Sequence, residues 1–195
     1  MSAVVKRDAI VCFGEALIDF LALPALPGQP RHFVEFAGGA PANVSAAVAR
    51  MGGNARFVGM LGVDMFGEFL MSQLRAFGVD TRFTVHTSAA RTALAFVSLD
   101  EEGERSFSFY RPPAADLLFR VDHFRSECFT DAALLHVCSN SLTEAEIAHT
   151  TVAGMQLARE YGALVGMVLD LRPSLWPEGF DAAPRLWEAL AEADI

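Results

Sequence analysis

One aspartate, Asp19, stands just beyond the short apolar run Ala9–Phe13, which Gly14 stops. A run of this kind is typical of a buried parallel strand. Open α/β sheets bind their ligands at the carboxyl ends of such strands. A carboxylate placed there could accept hydrogen bonds from two neighbouring hydroxyl groups of a sugar. Taken by itself, the residue fits a loop aspartate or a turn cap as well.

A glycine pair, Gly38 and Gly39, forms the second candidate element, and Pro41 and Asn43 follow it closely. Glycine lets the backbone turn tightly and approach a ligand without interference from a Cβ atom. Proline suits the first turn of a helix, where its missing N–H costs nothing. The pattern predicts a glycine turn that leads into a helix with Asn43 near its start. On its own, Asn43 could also be a helix cap or a solvated amide.

Strand and helix patterns alternate along most of the chain and must position these residues. Predicted strands cover 9–13, 56–61, 133–138 and 163–169. The first predicted helix starts at Pro41 and ends at Met51-Gly52-Gly53, and the second covers about 66–77. The third starts at a capping box of Thr143 and Glu146 and ends near Tyr161. Such alternation predicts an α/β fold, with a mostly parallel sheet wound by helices on both faces.

A second, smaller sheet is predicted from segments that break the alternation. Residues 92–99 and 106–110 flank the glycine-containing stretch 100–105, which is a strong hairpin signal. Residues 17–23 and 31–36 are extended and apolar, and the loop Pro24–Pro30 separates them. We expect these four segments to form a small sheet over the mouth of the main domain.

Composition and charge exclude several classes of protein. The 195 residues are 52% hydrophobic and carry a formal net charge of −9, which describes a packed globular chain without the basic surface that nucleic acid requires. No apolar run reaches membrane-spanning length, so we expect no membrane partner. The cysteines lack CxxC spacing and the histidines lack ligand spacing, so we predict free buried thiols, a cytoplasmic location and no metal site.

Residues 37–62, with the following Gly62-Val-Asp-Met-Phe-Gly67, resemble the N-terminal signature of PfkB/ribokinase-family sugar kinases. The resemblance implies a ribokinase-like α/β fold in which residues 1–195 form the N-terminal part of one domain. The small sheet is then a lid, built from about 17–36 and 91–111. The resemblance also implies that Asp19, Gly38, Gly39 and Asn43 bind a small sugar substrate, and that a homodimer forms through the lid.

The segment Phe109-Tyr110-Arg111 resembles the Phe-Tyr-Arg of fructokinase-like members. The resemblance implies that Tyr110 and Arg111 close over the sugar. In the related 2-keto-3-deoxygluconate kinases, a second tyrosine commonly occupies the place of Phe109, and arginine helps to hold a carboxylate. Phe109 lacks that hydroxyl, which favours a neutral ketose over a sugar acid. Without the resemblance, this segment would be read as an aromatic packing residue beside a solvated arginine.

The segment Val168-Leu-Asp-Leu-Arg172 departs from its relatives, which usually read Asp-x-Asn-x-Arg. Val168 replaces the aspartate and Asp170 replaces the asparagine, while Arg172 remains. A fixed guanidinium could contact a transferring phosphate. Because Asp170 would partly neutralise it, an ordinary surface pair between Asp170 and Arg172 is an equally good reading.

The Gly-Ala-Gly-Asp motif, which in the family supplies an anion hole and the catalytic base, does not occur in this sequence. We therefore expect this chain to be the substrate-binding half of a kinase whose C-terminal part is absent, with no catalytic residue of its own. The complete enzyme would use ATP and Mg²⁺, and this chain would bind neither specifically. The isolated chain would be poorly soluble or held by a partner, because its sheet would end on an unpaired edge.

Two alternatives stay open beside the ketose kinase. One is a noncatalytic sugar-binding or oligomerisation fragment from a shortened gene, and the other is a kinase resembling those for 2-keto-3-deoxygluconate. A dinucleotide-binding oxidoreductase is disfavoured, because a G-x-G-x-x-G fingerprint is lacking.

Overall fold

A computed structural model describes residues 7–24, 27–99 and 104–195 of the chain. Within these ranges the strands are β1 (Ala9–Phe13), β2 (Leu17–Ala22), β3 (Phe33–Gly38), β4 (Asn54–Gly62), β5 (Thr84–Thr87), β6 (Leu94–Leu99), β7 (Arg105–Tyr110), β8 (Ala132–Cys138) and β9 (Leu164–Val168). The α-helices are α1 (Ala40–Arg50), α2 (Met65–Ala76), α3 (Ala145–Glu160) and α4 (Ala183–Leu190). Short 3₁₀ turns connect several of them.

The main sheet has five strands in the order β5-β4-β1-β8-β9, and every neighbouring pair is parallel. Its apolar strands are buried on both faces, as the continuous hydrophobic runs predict. On β4, Phe57 and Leu61 pack with residues of α1 and α2. Val58 and Met60 point to the other face and pack with residues of α3. The predicted α/β fold, with helices on both faces of a parallel sheet, is confirmed.

The second sheet, which we call the lid, has four strands in the order β3-β2-β6-β7. Its β6–β7 pair is the predicted hairpin, in antiparallel register from Leu94 opposite Tyr110 to Leu99 opposite Arg105. β2 pairs antiparallel with β3 and parallel with β6. The predicted separate small sheet is therefore confirmed. The hairpin loop at 100–103, and residues 25 and 26 of the Pro24–Pro30 loop, lie outside the described residues.

Two local predictions differ from the structure. The capping box at Thr143 is wrong: α3 begins after Glu144 without a side-chain cap, and the Thr143 hydroxyl donates to the carbonyl of Asn140 at 3.3 Å. The buried position of Thr143 draws its hydroxyl towards the preceding turn instead of the helix. Sequence reasoning also missed β5, a four-residue edge strand whose side chains are only half-buried or exposed. Neither difference moves the elements that carry the candidate site.

A buried arginine joins the start of β4 to the segment that precedes β8. Arg56 of β4 donates to both carboxylate oxygens of Asp131, at 2.6 and 2.8 Å, and to the carbonyl of Cys128 at 2.9 Å.

The three cysteines are free and buried, as predicted. Burial raises the pKa of the Cys12 thiol to about 12, so it stays protonated. Among the described residues, no helix combines the length and the apolar sequence that a membrane span needs.

Candidate functional site

Asp19 lies on β2, at the centre of the lid, with Phe36 of β3 on one side and Ala95 of β6 on the other. Its side chain is half-buried, and this burial raises the pKa of the carboxyl group, while Arg105 opposes the rise. A Cβ atom added at Gly38 would overlap Asp19 Oδ2. The carboxylate therefore rests directly on the backbone of the glycine turn.

Gly39 forms the turn itself and is the N-cap residue of α1. Its φ of +103° favours glycine, and a Cβ atom there would lie 2.5 Å from the Glu15 carbonyl oxygen and 2.8 Å from Ala16 Cα. Both neighbours are backbone atoms, so they cannot move aside without shifting the β1–β2 connection. Glycine at this position lets the start of α1 approach the carboxyl end of β1.

A cavity of about 330 Å³ opens on the face of the lid that carries Asp19. The residues that line it are Asp19, Leu21, Phe36, Val97, Arg105 and Phe107. Its volume falls at the small end of the range for ligand pockets. The lining combines apolar surface with one acid and one base, which suits a compact polar molecule that also presents C–H faces.

Asn43 lies in the first turn of α1, where its backbone N–H donates to the Gly39 carbonyl at 2.9 Å. Its side chain is exposed, and it borders, together with Gly38, a separate cavity of about 30 Å³. A cavity of this size holds about one water molecule. The structure thus brings Asp19 and Gly38 into contact, while Asn43 borders a separate cavity on the other side of Gly38 from which Asp19 is absent.

Tyr110 lies on the opposite face of the lid from Asp19. Side chains alternate along a strand, and the register places Asp19 beside Ala95 and Phe109, whereas Tyr110 pairs with Leu94. The Tyr110 ring is 67% exposed and meets the ring of Phe96 edge-on at 5.2 Å. In this arrangement Phe109, and not Tyr110, shares a face with the carboxylate.

Arg111 is in the interior, with 2% of its surface exposed. Its guanidinium donates from Nε to Asp116 Oδ2 at 2.8 Å and from Nη1 to the carbonyl of Asn140 at 2.7 Å. Burial lowers the pKa of Arg111, but Asp116 and Glu15 outweigh it and hold the pKa above its ordinary value. The side chain is therefore a fixed internal cation that does not line the Asp19 cavity.

Arg172 follows β9 and reaches the lid. Its Nε lies 3.0 Å from Asp170 Oδ1, so the pair considered from the sequence is formed. Its guanidinium also lies 5.2 Å from the centre of the Phe107 ring, within the range of a cation–π contact. Because Phe107 lines the cavity, Arg172 joins the edge of the main sheet to the candidate site.

Sequence reasoning missed the aromatic walls of the cavity, Phe36 and Phe107. The sequence signal that could have found them is the alternation of side chains between the two faces of a strand. Phe36 lies on β3, which neighbours the strand β2 that carries Asp19, and Phe107 lies on β7, one strand beyond β6. Using this signal required the strand order and register, which the sequence alone did not supply.

Comparison with known proteins identifies the family. Residues 7–195 match the description "pfkB family carbohydrate kinase". The chain belongs to this family. It is 44% identical over 193 residues to fructokinase-1 of Zea mays and 43% identical over 194 residues to fructokinase-1 of Oryza sativa subsp. japonica, and each alignment covers 97% of this chain and 59% of the relative.

Solved structures of the family superpose closely on this chain. Fructokinase from Xylella fastidiosa is 59% identical, with a TM-score of 0.93 over 96% of this chain and 60% of that one. A structure of the Xylella fructokinase has ATP bound. A double mutant of the Vibrio cholerae O395 fructokinase, with fructose, ADP and potassium bound, is 32% identical, with a TM-score of 0.85 over 98% of this chain and 59% of that one. The chain spans about three fifths of the length of these relatives.

Proposed function

We propose that the protein, in its natural length, is a sugar kinase that transfers the γ-phosphate of ATP to a hydroxyl group of a ketose such as fructose. In this proposal the present chain is the N-terminal part of one ribokinase-like domain and supplies the sugar site. The observation that carries it is the contact between the Asp19 carboxylate and the Gly38–Gly39 turn at the wall of the 330 Å³ cavity.

Asp19 is suited to hold two hydroxyl groups of one sugar. A carboxylate accepts hydrogen bonds only, and charge-assisted bonds from hydroxyl groups are stronger than neutral ones. The glycine turn lets a ligand approach the backbone beside that carboxylate. Asn43 adds an amide that both donates and accepts, within reach of the same turn. Phe36 and Phe107 offer apolar surface for the C–H face of the ring.

The charge distribution favours a neutral ketose over a sugar acid. Arg111, which could have held a substrate carboxylate, is already paired with Asp116 inside the protein. A kinase for 2-keto-3-deoxygluconate remains a second candidate, because Arg105 lines the cavity with Asp19 and could pair with a carboxylate. Phe109 and Tyr110 do not form the tyrosine pair expected of such enzymes.

We propose no complete site for ATP or Mg²⁺ within the described residues. Among the described residues no group of three acidic, histidine or cysteine side chains is placed to hold a metal ion. Arg172 is one candidate contact for phosphate, and Asp170 neutralises part of its charge. ATP with Mg²⁺ supplies the phosphoryl group in the family reaction.

Sugar-dependent formation of ADP by the full-length protein tests the proposal. We expect turnover with fructose, less with 2-keto-3-deoxygluconate, and a fructose KM raised about 10- to 100-fold by Asp19→Asn, with the ATP KM unchanged. If no ketose, sugar acid or nucleoside is turned over, the proposal is wrong. Saturable sugar binding without ADP formation would instead favour a noncatalytic sugar-binding protein.

We further propose a homodimer through the lid and a cytoplasmic location. The lid face opposite Asp19 exposes the aromatic side chains of Phe33 and Tyr110, at 40% and 67% of their surface. Exposed apolar patches of this kind are common at protein–protein contacts.

The proposed cytoplasmic location rests on the three buried free thiols, which suit a reducing compartment.

A further inference from the structure

Glu15 is a buried carboxyl group that binds the start of α1 from a distant part of the chain. It lies between β1 and β2, with 2% of its surface exposed. Its Oε1 accepts hydrogen bonds from the backbone N–H of Ala40 at 3.2 Å and from Asn140 Nδ2 at 3.2 Å. Carboxyl groups are rarely buried unless partners hold them, so these contacts mark a specific arrangement.

The Ala40 N–H is one of the donors at a helix N-terminus that have no partner within the helix. Gly39, which precedes α1, has no side chain to accept from it. Glu15 provides that acceptor from outside the helix. Its own carbonyl oxygen also faces Gly39, where a Cβ atom would approach to 2.5 Å. Main chain and side chain of Glu15 thus both contact the glycine turn.

The second partner of Glu15 links the turn to the rest of the interior. Asn140, just after β8, donates to Glu15 through its amide and accepts from Arg111 Nη1 through its carbonyl at 2.7 Å. Arg111, just after β7, is fixed by Asp116. A continuous buried chain of contacts therefore runs from the end of the lid hairpin to the first residue of α1.

We infer that Glu15 is a positioning residue, which holds the Gly38–Gly39 turn against Asp19 and so sets the affinity for the sugar. Glu15 itself is on the interior side of the turn, and its partners are Ala40 and Asn140. It acts through the backbone that supports Asp19. This inference rests on the proposed function, because it gives the turn its role in binding sugar.

Two substitutions in the full-length protein separate the hydrogen bond from the volume of the side chain. Glu15→Gln keeps an oxygen that can accept from Ala40, whereas Glu15→Leu removes it and retains similar bulk. Both hydrogen bonds of Glu15 end on the single oxygen Oε1, which glutamine retains as an acceptor. Thr150→Val is the matched control: it removes a buried hydroxyl that donates to the carbonyl of Glu146 at 2.9 Å, within α3.

We expect Glu15→Leu to raise the fructose KM about tenfold while the ATP KM changes by less than about twofold, and Glu15→Gln to raise the fructose KM by less than about threefold. Hydrogen exchange of the peptide spanning 37–46 should accelerate in Glu15→Leu only. An equal rise in fructose KM for Glu15→Leu and Thr150→Val, or an equal rise for Glu15→Leu and Glu15→Gln, would overturn the inference.

Ala40→Pro tests the same bond from its donor side if Glu15→Leu does not fold. Proline lacks the N–H and is tolerated in the first turn of a helix. We expect the same selective rise in fructose KM, and an unchanged KM would overturn the inference. If the wild-type protein turns over no sugar, the proposed function fails. Hydrogen exchange then decides alone whether Glu15 holds the turn: unchanged exchange in Glu15→Leu refutes it.

Discussion

A single added methyl group at Gly38 should weaken sugar binding without disturbing the fold. The φ angle of Gly38 is outside the left-handed region, so alanine brings no conformational strain there. A Cβ atom at this position would overlap Asp19 Oδ2 and would lie 2.9 Å from Asp19 Cγ and 3.3 Å from Leu17 Cδ1. All of these neighbours are side-chain atoms. The Asp19 carboxylate must therefore rotate away from the turn, while the backbone stays in place.

The size of the effect follows from the hydrogen bonds that the displaced carboxylate would lose. A hydrogen bond to a charged group contributes about 1.5–3 kcal/mol. Losing one such bond corresponds to a roughly 10- to 150-fold rise in the fructose KM. Replacing glycine by alanine also stabilises a protein by about 0.4–1 kcal/mol through the unfolded chain, which offsets the modest cost of moving Asp19.

The assay compares Gly38→Ala with Gly166→Ala in the full-length protein. Gly166 also lies in a strand, and a Cβ atom there would be in ordinary contact with Leu134 Cδ1 at 3.4 Å. Fructose and ATP titrations of ADP formation give the two KM values, and thermal unfolding reports the fold. We expect a raised fructose KM in Gly38→Ala only, with both variants unfolding within a few degrees of the wild type.

An unchanged fructose KM in a well-folded Gly38→Ala variant would contradict this prediction. It would mean either that the methyl group leaves the Asp19 carboxylate in place or that this carboxylate does not hold the sugar. A parallel loss of sugar affinity and ATP affinity would also refute the prediction. That result would mean that the turn supports the whole enzyme rather than the sugar site.

Three further outcomes are expected. Asp131→Asn should lower the free energy of unfolding at pH 7 by about 1–2 kcal/mol, because it leaves the buried Arg56 cation with weaker partners. Hydrogen bonds from Arg56 lower the pKa of Asp131. In denaturant titrations, the stability difference between wild type and variant should therefore shrink as the pH falls through that lowered pKa. Burial raises the pKa of Glu15, so its contribution to wild-type stability should decrease as the pH rises above the ordinary value of 4.5. Glu15→Gln should lack this one contribution, and identical pH profiles of the melting temperature in the two proteins would contradict the prediction. Tyr110→Ser should weaken the proposed lid dimer, measured by sedimentation equilibrium, without changing the fructose KM. A wild-type protein that is monomeric in this experiment would contradict the proposed dimer.

The alternation of elements was predictable because it is local. Buried parallel strands such as β1 and β8 appear in the sequence as continuous apolar runs, and the apolar spacing of α2 follows the helical repeat. The glycine-containing hairpin predicted β6 and β7. Asp19 could be selected as a candidate because it follows an extended apolar segment, and Gly38 because it ends one. β5 was missed because its four residues carry neither a continuous apolar run nor a clear alternation.

Tyr110 and Arg111 show where local reasoning ends. Both follow Phe109 in the sequence, yet Tyr110 emerges on the far face of the lid and Arg111 enters the interior beside Asp116. A shift of one residue in strand register exchanges the two faces of a sheet, and a buried cation must lie where an acid can meet it. The family, the α/β class and the polar residues available for a sugar can all be predicted from the sequence. Which of these polar residues share a cavity depends on the tertiary structure, because strand register and long-range ion pairing require contacts between segments far apart in the chain.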